Sequence, residues 1–547
     1  MANPDIFPNL PGFVAEVNDG GLKLIPPPST LTQAVVLIGT SEDGPLLTPV
    51  RLTSLEFGDQ VFGLPRTTMT KREKSKALTL HMNETYMAGC TDIWLMRATG
   101  TFAELTLASS TIGNPTPLLA QSVYPGERYN TIEVEVTATQ LKITPFKKLV
   151  VGGVLTFVLD AANTQTFTLS DYVYWSDLTD AVDRKAFLAK ARLIATNPGE
   201  TIISAPLDIM ASTVLSGGSN QLDVTDVDYR DALVQAYKNL EDFADVDYVV
   251  PLGAYVGPSA NGDDLRNARN LALFCFRASG RNNELMGALS MDPLENPTLQ
   301  RITDRADLLS TLDFNMDATD DYTTTATPTP SELLDPESGN TFHMGFYISL
   351  LEGRQSYRLR NFGETLSTSE AAYAGLLASM LLSSGSTRKP IRNSRGLHFH
   401  YGAHNANKIA TARIVTFQST SGNPSVVDGV TYGLWDPTGV GFTSDYHNAS
   451  TLRITQVTVG MVRRVCEPFI GEVFNNIQKN AMATNIEGVL NSLKDAGVLE
   501  DFEFEIIQSI NDKILGQCFI DLILVPALEL KKIRARVSLR PVIVRQS

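Results

Sequence analysis

The sequence predicts a multidomain chain of mixed α+β and α/β texture, with an α/β domain assembled from separated segments and a β-rich unit inserted into it. Three observations predict this. At 547 residues the chain has room for roughly three to four domains of ordinary size. Short, continuous apolar runs such as Ala34 to Ile38, suited to strands covered on both faces, alternate with helical patterns. Between 101 and 215 that texture gives way to period-two alternation, as in Ile132-Glu133-Val134-Glu135-Val136.

Taken in order, residues 1–30 hold Pro4, Pro8, Pro11 and Pro26-Pro27-Pro28 and read as an extended arm. Within it, Phe13, Ala15 and Val17 alternate with Val14 and Glu16, giving strand character with few local partners. Residues 34–98 form a β–α–β unit: a strand at 34–38, a loop at 39–49, one helix from Lys71 to Ala88, and a returning strand at Ile93 to Met96. In the inserted unit, strands at Val154 to Leu159 and Thr166 to Leu169 follow the first, and a helix is expected over Ala181 to Ala195.

After Gly217-Gly218 the α/β texture resumes. Asp226 is expected to cap a helix bearing Leu233, Tyr237, Leu240 and Phe243 on one face. A strand at Val246 to Leu252, a helix at Asp263 to Phe276 and a strand at Leu285 to Leu289 follow, then a Thr/Pro-rich linker over 313–341. Ser367 to Leu382 reads as a buried helix, 395–435 as β-like, and Ser450 to Val465 as another helix. Thr484-x-x-Glu487 is read as a capping box opening a helix with Ile486, Val489, Leu490 and Leu493 as its packing face and Gly497 as its stop. Strands at 502–507 and 518–525 complete this block.

In the tail, Ile533, Ala535, Val537 and Leu539 alternate with Lys532, Arg534, Arg536, Ser538 and Arg540, a strand with one apolar and one basic face. Residues 531–547 contain no acid, although the chain carries a net charge of −15. A cationic strand on an anionic protein is suited to docking on copies of itself. The overall charge opposes coating of nucleic acid or anionic membrane, so neither nucleic-acid binding nor membrane insertion is expected. No apolar run approaches the ~18 residues of a spanning helix, and Met1 to Asp5 has no basic, signal-like opening.

Catalytic patterns are sparse. The chain holds no GxxxxGK[ST], GxGxxG or GxSxG pattern. Gly39-Thr-Ser-Glu-Asp-Gly44 follows a strand but lacks the phosphate-binding lysine and reads as a connecting loop. His398, His400 and His404 cluster; on a strand the first two would share a face and could share a metal, against a plainer reading as a surface strand. Asp313, Asn315 and Asp317 open like a calcium loop, yet Ala318 and Thr324 stand where glycine and glutamate are needed, so a polar turn is expected. Cys90, Cys275, Cys466 and Cys518 have no metal-knuckle spacing and read as small buried hydrophobes. The expectation is a chain with no cofactor and no enzymatic activity.

Several segments, in order, resemble the tail sheath proteins of contractile phages and phage-like contractile injection systems. Pro11-Gly12-Phe13-Val14-Ala15-Glu16-Val17 is similar to that family's opening Pro-Gly-Val-Tyr-Val-Glu-Glu pattern. Val35 to Gly39, the Gly44-Pro45 turn, Leu52 to Phe57, Phe62-Gly63 and Asp92 to Arg97 are similar to its first β–α–β unit. Leu215-Ser216-Gly217-Gly218, Glu467-Pro468 and Leu493 to Leu499 continue the resemblance, with Phe469 where the family has Asn.

The resemblance implies a structural sheath subunit stacked as hexameric rings around a tail tube and contracting to drive the tube through the host envelope. It implies a sheath core formed from N- and C-terminal segments, with inserted β-rich outer domains. On that basis the chain divides into an N-terminal arm (1–30), an α/β domain (31–100 and 216–345), an inserted outer domain (101–215), a C-terminal core domain (346–528) and a C-terminal strand arm (529–547). Partners would be the chain itself, the tube protein, and baseplate and terminator proteins, in a virion tail assembled in the bacterial host cytoplasm. Phe13, Val14, Ala15 and Val17, and Lys532, Ile533, Arg534, Arg536, Val537 and Leu539, would be the inter-subunit arm residues. The alternatives are another virion component, baseplate or capsid, or an enzyme on the 226–290 segment.

Overall fold

The computed structural model describes residues 33–64, 69–110, 118–151, 154–223, 225–243, 246–256, 265–280, 283–291, 298–310, 322, 344–359, 363–419, 423–434, 444–472 and 475–531. Its centre is an eight-stranded sheet. In chain order the strands are β1 (Val35–Gly39), β2 (Val50–Arg51), β3 (Ile93–Arg97), β4 (Tyr248–Pro251), β5 (Met286–Ser290), β6 (Ile348–Glu352), β7 (Ile414–Ser419) and β8 (Pro424–Val426). They lie in the order β2-β3-β1-β4-β5-β6-β7-β8. Neighbours from β3 to β7 are parallel, and β2 and β8 close the two edges antiparallel. Every residue of β1, β4, β5 and β6 is buried. That burial explains their unbroken apolar composition, because helices cover both faces of a parallel sheet.

Four helices of this body matter below: α1 (Leu78–Ala88), α2 (Asp226–Leu240), α3 (Leu265–Gly280) and α4 (Glu370–Ser379). The expected helix from Lys71 to Ala88 is two helices, Lys71–Lys76 and α1, because Ala77 is extended at φ −75° and ψ 112°. Thr40, at the end of β1, captures the backbone there: its amide donates to Lys76 O at 2.8 Å, and Leu78 N donates to Thr40 O at 3.0 Å. Thr225, not Asp226, caps α2, its hydroxyl accepting from Asp228 N. The start of the helix expected at Ser367 belongs to the strand Gly363–Thr368, which pairs with Arg354–Leu359.

Residues 104–214 form strands around a second core that includes Ile132, Leu141, Phe167, Trp175 and Leu178. A four-stranded sheet, a three-stranded sheet and the hairpin Phe146–Val151/Val154–Leu159 make up the unit. The expected helix over 181–195 is the end of the helix Trp175–Asp183, a short turn at Ala186–Ala189, and the strand Ala191–Ala195. Lys190, at φ 56°, breaks the helical path, and pairing with Leu118–Ser122 takes the chain into a sheet. The unit's two ends meet: Thr101 and Ser219 exchange N–H···O bonds of 2.9 and 3.2 Å.

The chain ends its described course in a smaller module. Helix α5 (Ala449–Cys466) starts in the main core with Ala449 and Leu452 and ends in a separate core with Val462 and Cys466. Helix α6 (Asn476–Asp495) and the antiparallel pair β9 (Leu499–Ile507) and β10 (Phe519–Pro526) complete that core, with helix α7 (Ile510–Leu515) between the strands. Asn475 caps α6, its Oδ1 accepting from Ile477 N and Gln478 N at 2.8 and 3.1 Å. Thr484 therefore lies inside the helix and caps nothing; its hydroxyl donates to Asn480 O, the usual outlet for an interior threonine. Gly497, at φ 69°, ends the helix as expected from its freedom in that region. Strands β6, β7 and β8, from beyond residue 346, share the sheet of β1 to β5.

Candidate assembly surface

The described residues reach from Gln33 to Lys531, so the arm residues Phe13, Val14, Ala15, Val17, Lys532, Ile533, Arg534, Arg536, Val537 and Leu539 lie outside them. What the structure supplies is the surface beside those arms. In α6, Ile486, Leu490 and Leu493 are fully buried, and Val489 packs against the same core. They meet Phe502, Phe504 and Ile506 of β9 and Ile520, Leu522 and Leu524 of β10. Period-two alternation sends these six side chains to one face of the ribbon.

The opposite face has another chemistry. Glu503, Glu505 and Asp521 are exposed, with Glu505 paired directly across from Asp521 and Glu503 across from Ile523. Ile507 and Phe519 form the last cross-strand pair and are both exposed, as are Ile514 and Leu515 of α7. The ribbon therefore has an apolar face closed by α6, an outward face that carries Glu503, Glu505 and Asp521 beside Ile523 and Val525, and an apolar tip. Among the described residues, β9 and β10 have no strand neighbour but each other, which leaves two long edges of backbone donors and acceptors unpaired within that set. The alternation of acids along β9 is legible in the sequence Leu499-Glu-Asp-Phe-Glu-Phe-Glu-Ile-Ile507.

The other candidate groups lie elsewhere. His398, His400 and His404 are exposed, the first two lie outside any strand, and His404 is in the helix Ala403–Thr411. No group of three His, Cys, Asp or Glu side chains able to hold a metal occurs among the described residues. Asp313, Asn315 and Asp317 fall outside them. Cys90, Cys275 and Cys466 are buried, and burial, with Cys518 close by, pushes the Cys466 thiol up to about 12, which leaves it an inert packing group. The 39–44 loop is buried, and Asp43 accepts from Arg128 Nη1 and Tyr129 Oη, both at 2.7 Å, joining the body to the β-rich unit. Among the described residues no helix is long and apolar enough to cross a membrane.

This layered body with its appended ribbon is similar in fold to a sheath tail protein of known structure. No protein-family model and no curated protein matches the chain. Among solved structures it is similar to a sheath tail protein from Listeria innocua, with 13% identity over 92% of this chain and 96% of that one, at a TM-score of 0.52. A sheath tail protein from Desulfitobacterium hafniense has 13% identity, covers 94% of this chain and 100% of its own, and gives a TM-score of 0.46. The helical sheath of the anti-feeding prophage in its contracted state has 8% identity, 97% and 99% coverage, and a TM-score of 0.45.

Proposed function

We propose that this protein is the sheath subunit of a contractile tail. It polymerises as stacked hexameric rings around a tail tube and shortens to drive the tube through the host envelope. The observation that carries the reading is the open-edged ribbon and its match to the arms. A tail strand added to either edge with Lys532, Arg534 and Arg536 on the side of Glu503, Glu505 and Asp521 would turn Ile533, Val537 and Leu539 toward the apolar side closed by α6. Main-chain pairing then supplies affinity, and the two faces supply register. The N-terminal strand around Phe13 to Val17 has the same need for a sheet edge.

Contraction on this reading consumes no bound fuel. The extended lattice is metastable, and rotation of subunits into a tighter lattice releases the free energy. Tube, baseplate and terminator proteins are the expected companions in the assembled tail, put together in the host cytoplasm. Electron microscopy of the purified chain tests the proposal: helical tubes with a hollow lumen support it. Closed shells would point to a capsid role, and discrete monomers would remove the case for a sheath.

A further inference from the structure

Both arms are rooted in one place. The first described residue, Gln33, is buried, and its Oε1 accepts from the buried Arg453 guanidinium of α5, at 3.0 Å from Nη2 and 3.3 Å from Nε. Tyr248 Oη donates to the same oxygen at 2.8 Å and accepts from Arg453 Nε at 2.8 Å. The guanidinium also donates to Met380 O at 3.0 Å and to Ser384 O at 3.3 Å. A buried guanidinium loses much if any of these acceptors is removed, so the position of Gln33 is strongly fixed.

One turn away on the same helix lies the other root. Ser450 Oγ donates to Glu529 Oε2 at 3.4 Å, and Thr387 N donates to Glu529 Oε1 at 3.0 Å. Lys531 pairs with Asp428, whose Oδ1 also accepts from Thr387 Oγ1 at 3.1 Å. Gly385 makes room: a Cβ there would stand 2.1 Å from the Glu529 carboxyl carbon. Residues 380–387 therefore touch Arg453 through Met380 and Ser384, and Glu529 through Gly385 and Thr387. Leu382, Ile454 and Val498 pack beneath as a small core of their own.

We propose that the first turns of α5 and residues 380–387 form a node that fixes both arm roots. Fixed roots aim the N- and C-terminal arms at neighbouring subunits with constant spacing. This rests on the arm-exchange reading above. Pre-organised roots raise the effective concentration of each arm at its neighbour's ribbon.

The test uses the full chain with three changes made separately: Glu529→Ala together with Lys531→Ala, Gly385→Val, and Gln33→Ala. Gly385→Val expels Glu529 without altering any arm residue. Each should keep a cooperative thermal transition. Hydrogen exchange should speed at least about tenfold in the freed root, at 384–388 and 527–531 for the first two and at 33–36 for the third, while β4 to β6 stay protected. Sedimentable tubes should fall by about tenfold at fixed protein concentration. Tubes at the wild-type level despite faster root exchange would overturn the node, as would unchanged exchange. A chain lacking 532–547, run beside them, separates the two ideas. If it too forms normal tubes, arm exchange itself fails; if it alone fails to assemble, only the node does.

Discussion

Asp247 shows at the scale of one residue how anchoring the chain after the first arm is costly. Its Oδ2 accepts from Ala34 N at 2.7 Å at the start of β1. Burial pushes its carboxyl up to about 6, against the opposing pull of that amide and of Arg464 and Arg453. The unfolded carboxyl titrates near 3.8, so between these values the folded chain binds more protons than the unfolded one. The favourable contribution is therefore complete below about pH 3.8 and is lost as pH rises through about 6. Asp247→Asn should raise stability at pH 7.5 by about 1–2 kcal/mol, with the gain fading to nothing in acid. Thermal midpoints of both proteins across pH would show this, and a lower midpoint for the variant at pH 7.5 would mean the ionised carboxylate is needed. Sequence could not show such a group. The burial of Asp247 depends on β1, more than two hundred positions earlier. The same limit applied to capping: Thr225 and Asn475 cap their helices, while the motif-like Asp226 and Thr484 do not.

Elements whose surroundings are apolar on every side were the most legible. Strands β1 and β4 and helix α4 are continuous apolar runs because both faces are covered, and the sequence says so directly. Elements defined by a distant partner were not: the break at Ala77 is set by Thr40, and the strand at Ala191 by Leu118–Ser122. The crossing of α1 and α4 is another such case, with a clear test. At Gly375 a Cβ would stand 2.6 Å from Thr85 O and 3.1 Å from both Thr85 Cα and Ala88 Cβ. Thr85 Oγ1 also donates to Ala371 O at 3.2 Å across the same contact. Backbone cannot yield as a flexible side chain can, so a larger residue forces the helices apart beneath β4 and β5. Gly375→Val should destabilise the body by about 2–3 kcal/mol, read as a lower urea midpoint with an unchanged slope. A midpoint equal to wild type would show that the two helices slide freely.

At the scale of the whole molecule, the β-rich unit and the arms make opposite predictions. The unit hangs from paired ends at Thr101 and Ser219 and has its own core, so replacing 102–218 by a short Gly/Ser linker should leave a folded body. Its removal uncovers Glu42, Asp43 and Arg97, which then meet water in place of Arg128, Tyr129 and the Pro125 carbonyl. Tubes should still form, and their loss from a folded variant would assign lattice contacts to this unit. On the arm-exchange proposal the arms are the reverse: small, and required. An isolated strand of their length would have little stability, and among the described residues the edges of β9 and β10 are unpaired. Removing 532–547 should leave a folded monomer that makes no tubes. Val537→Pro should act alike, since it deletes one ladder hydrogen bond and fixes the local φ. Raising salt from 0.1 to 1 M shrinks the Debye length from about 10 to about 3 Å, so attraction between Arg534 or Arg536 and Glu503 or Glu505 should weaken. Main-chain pairing is little screened, and assembly should fall only in part. Reversing the charge in Glu503→Lys with Glu505→Lys should therefore cost more than salt does, because it adds repulsion to the loss of attraction. Sedimentation of these variants beside the full chain is the measurement. Normal tubes from the truncated chain would remove arm exchange, whereas normal tubes from the charge-reversed ribbon alone would leave the arms in place and move their docking edge elsewhere.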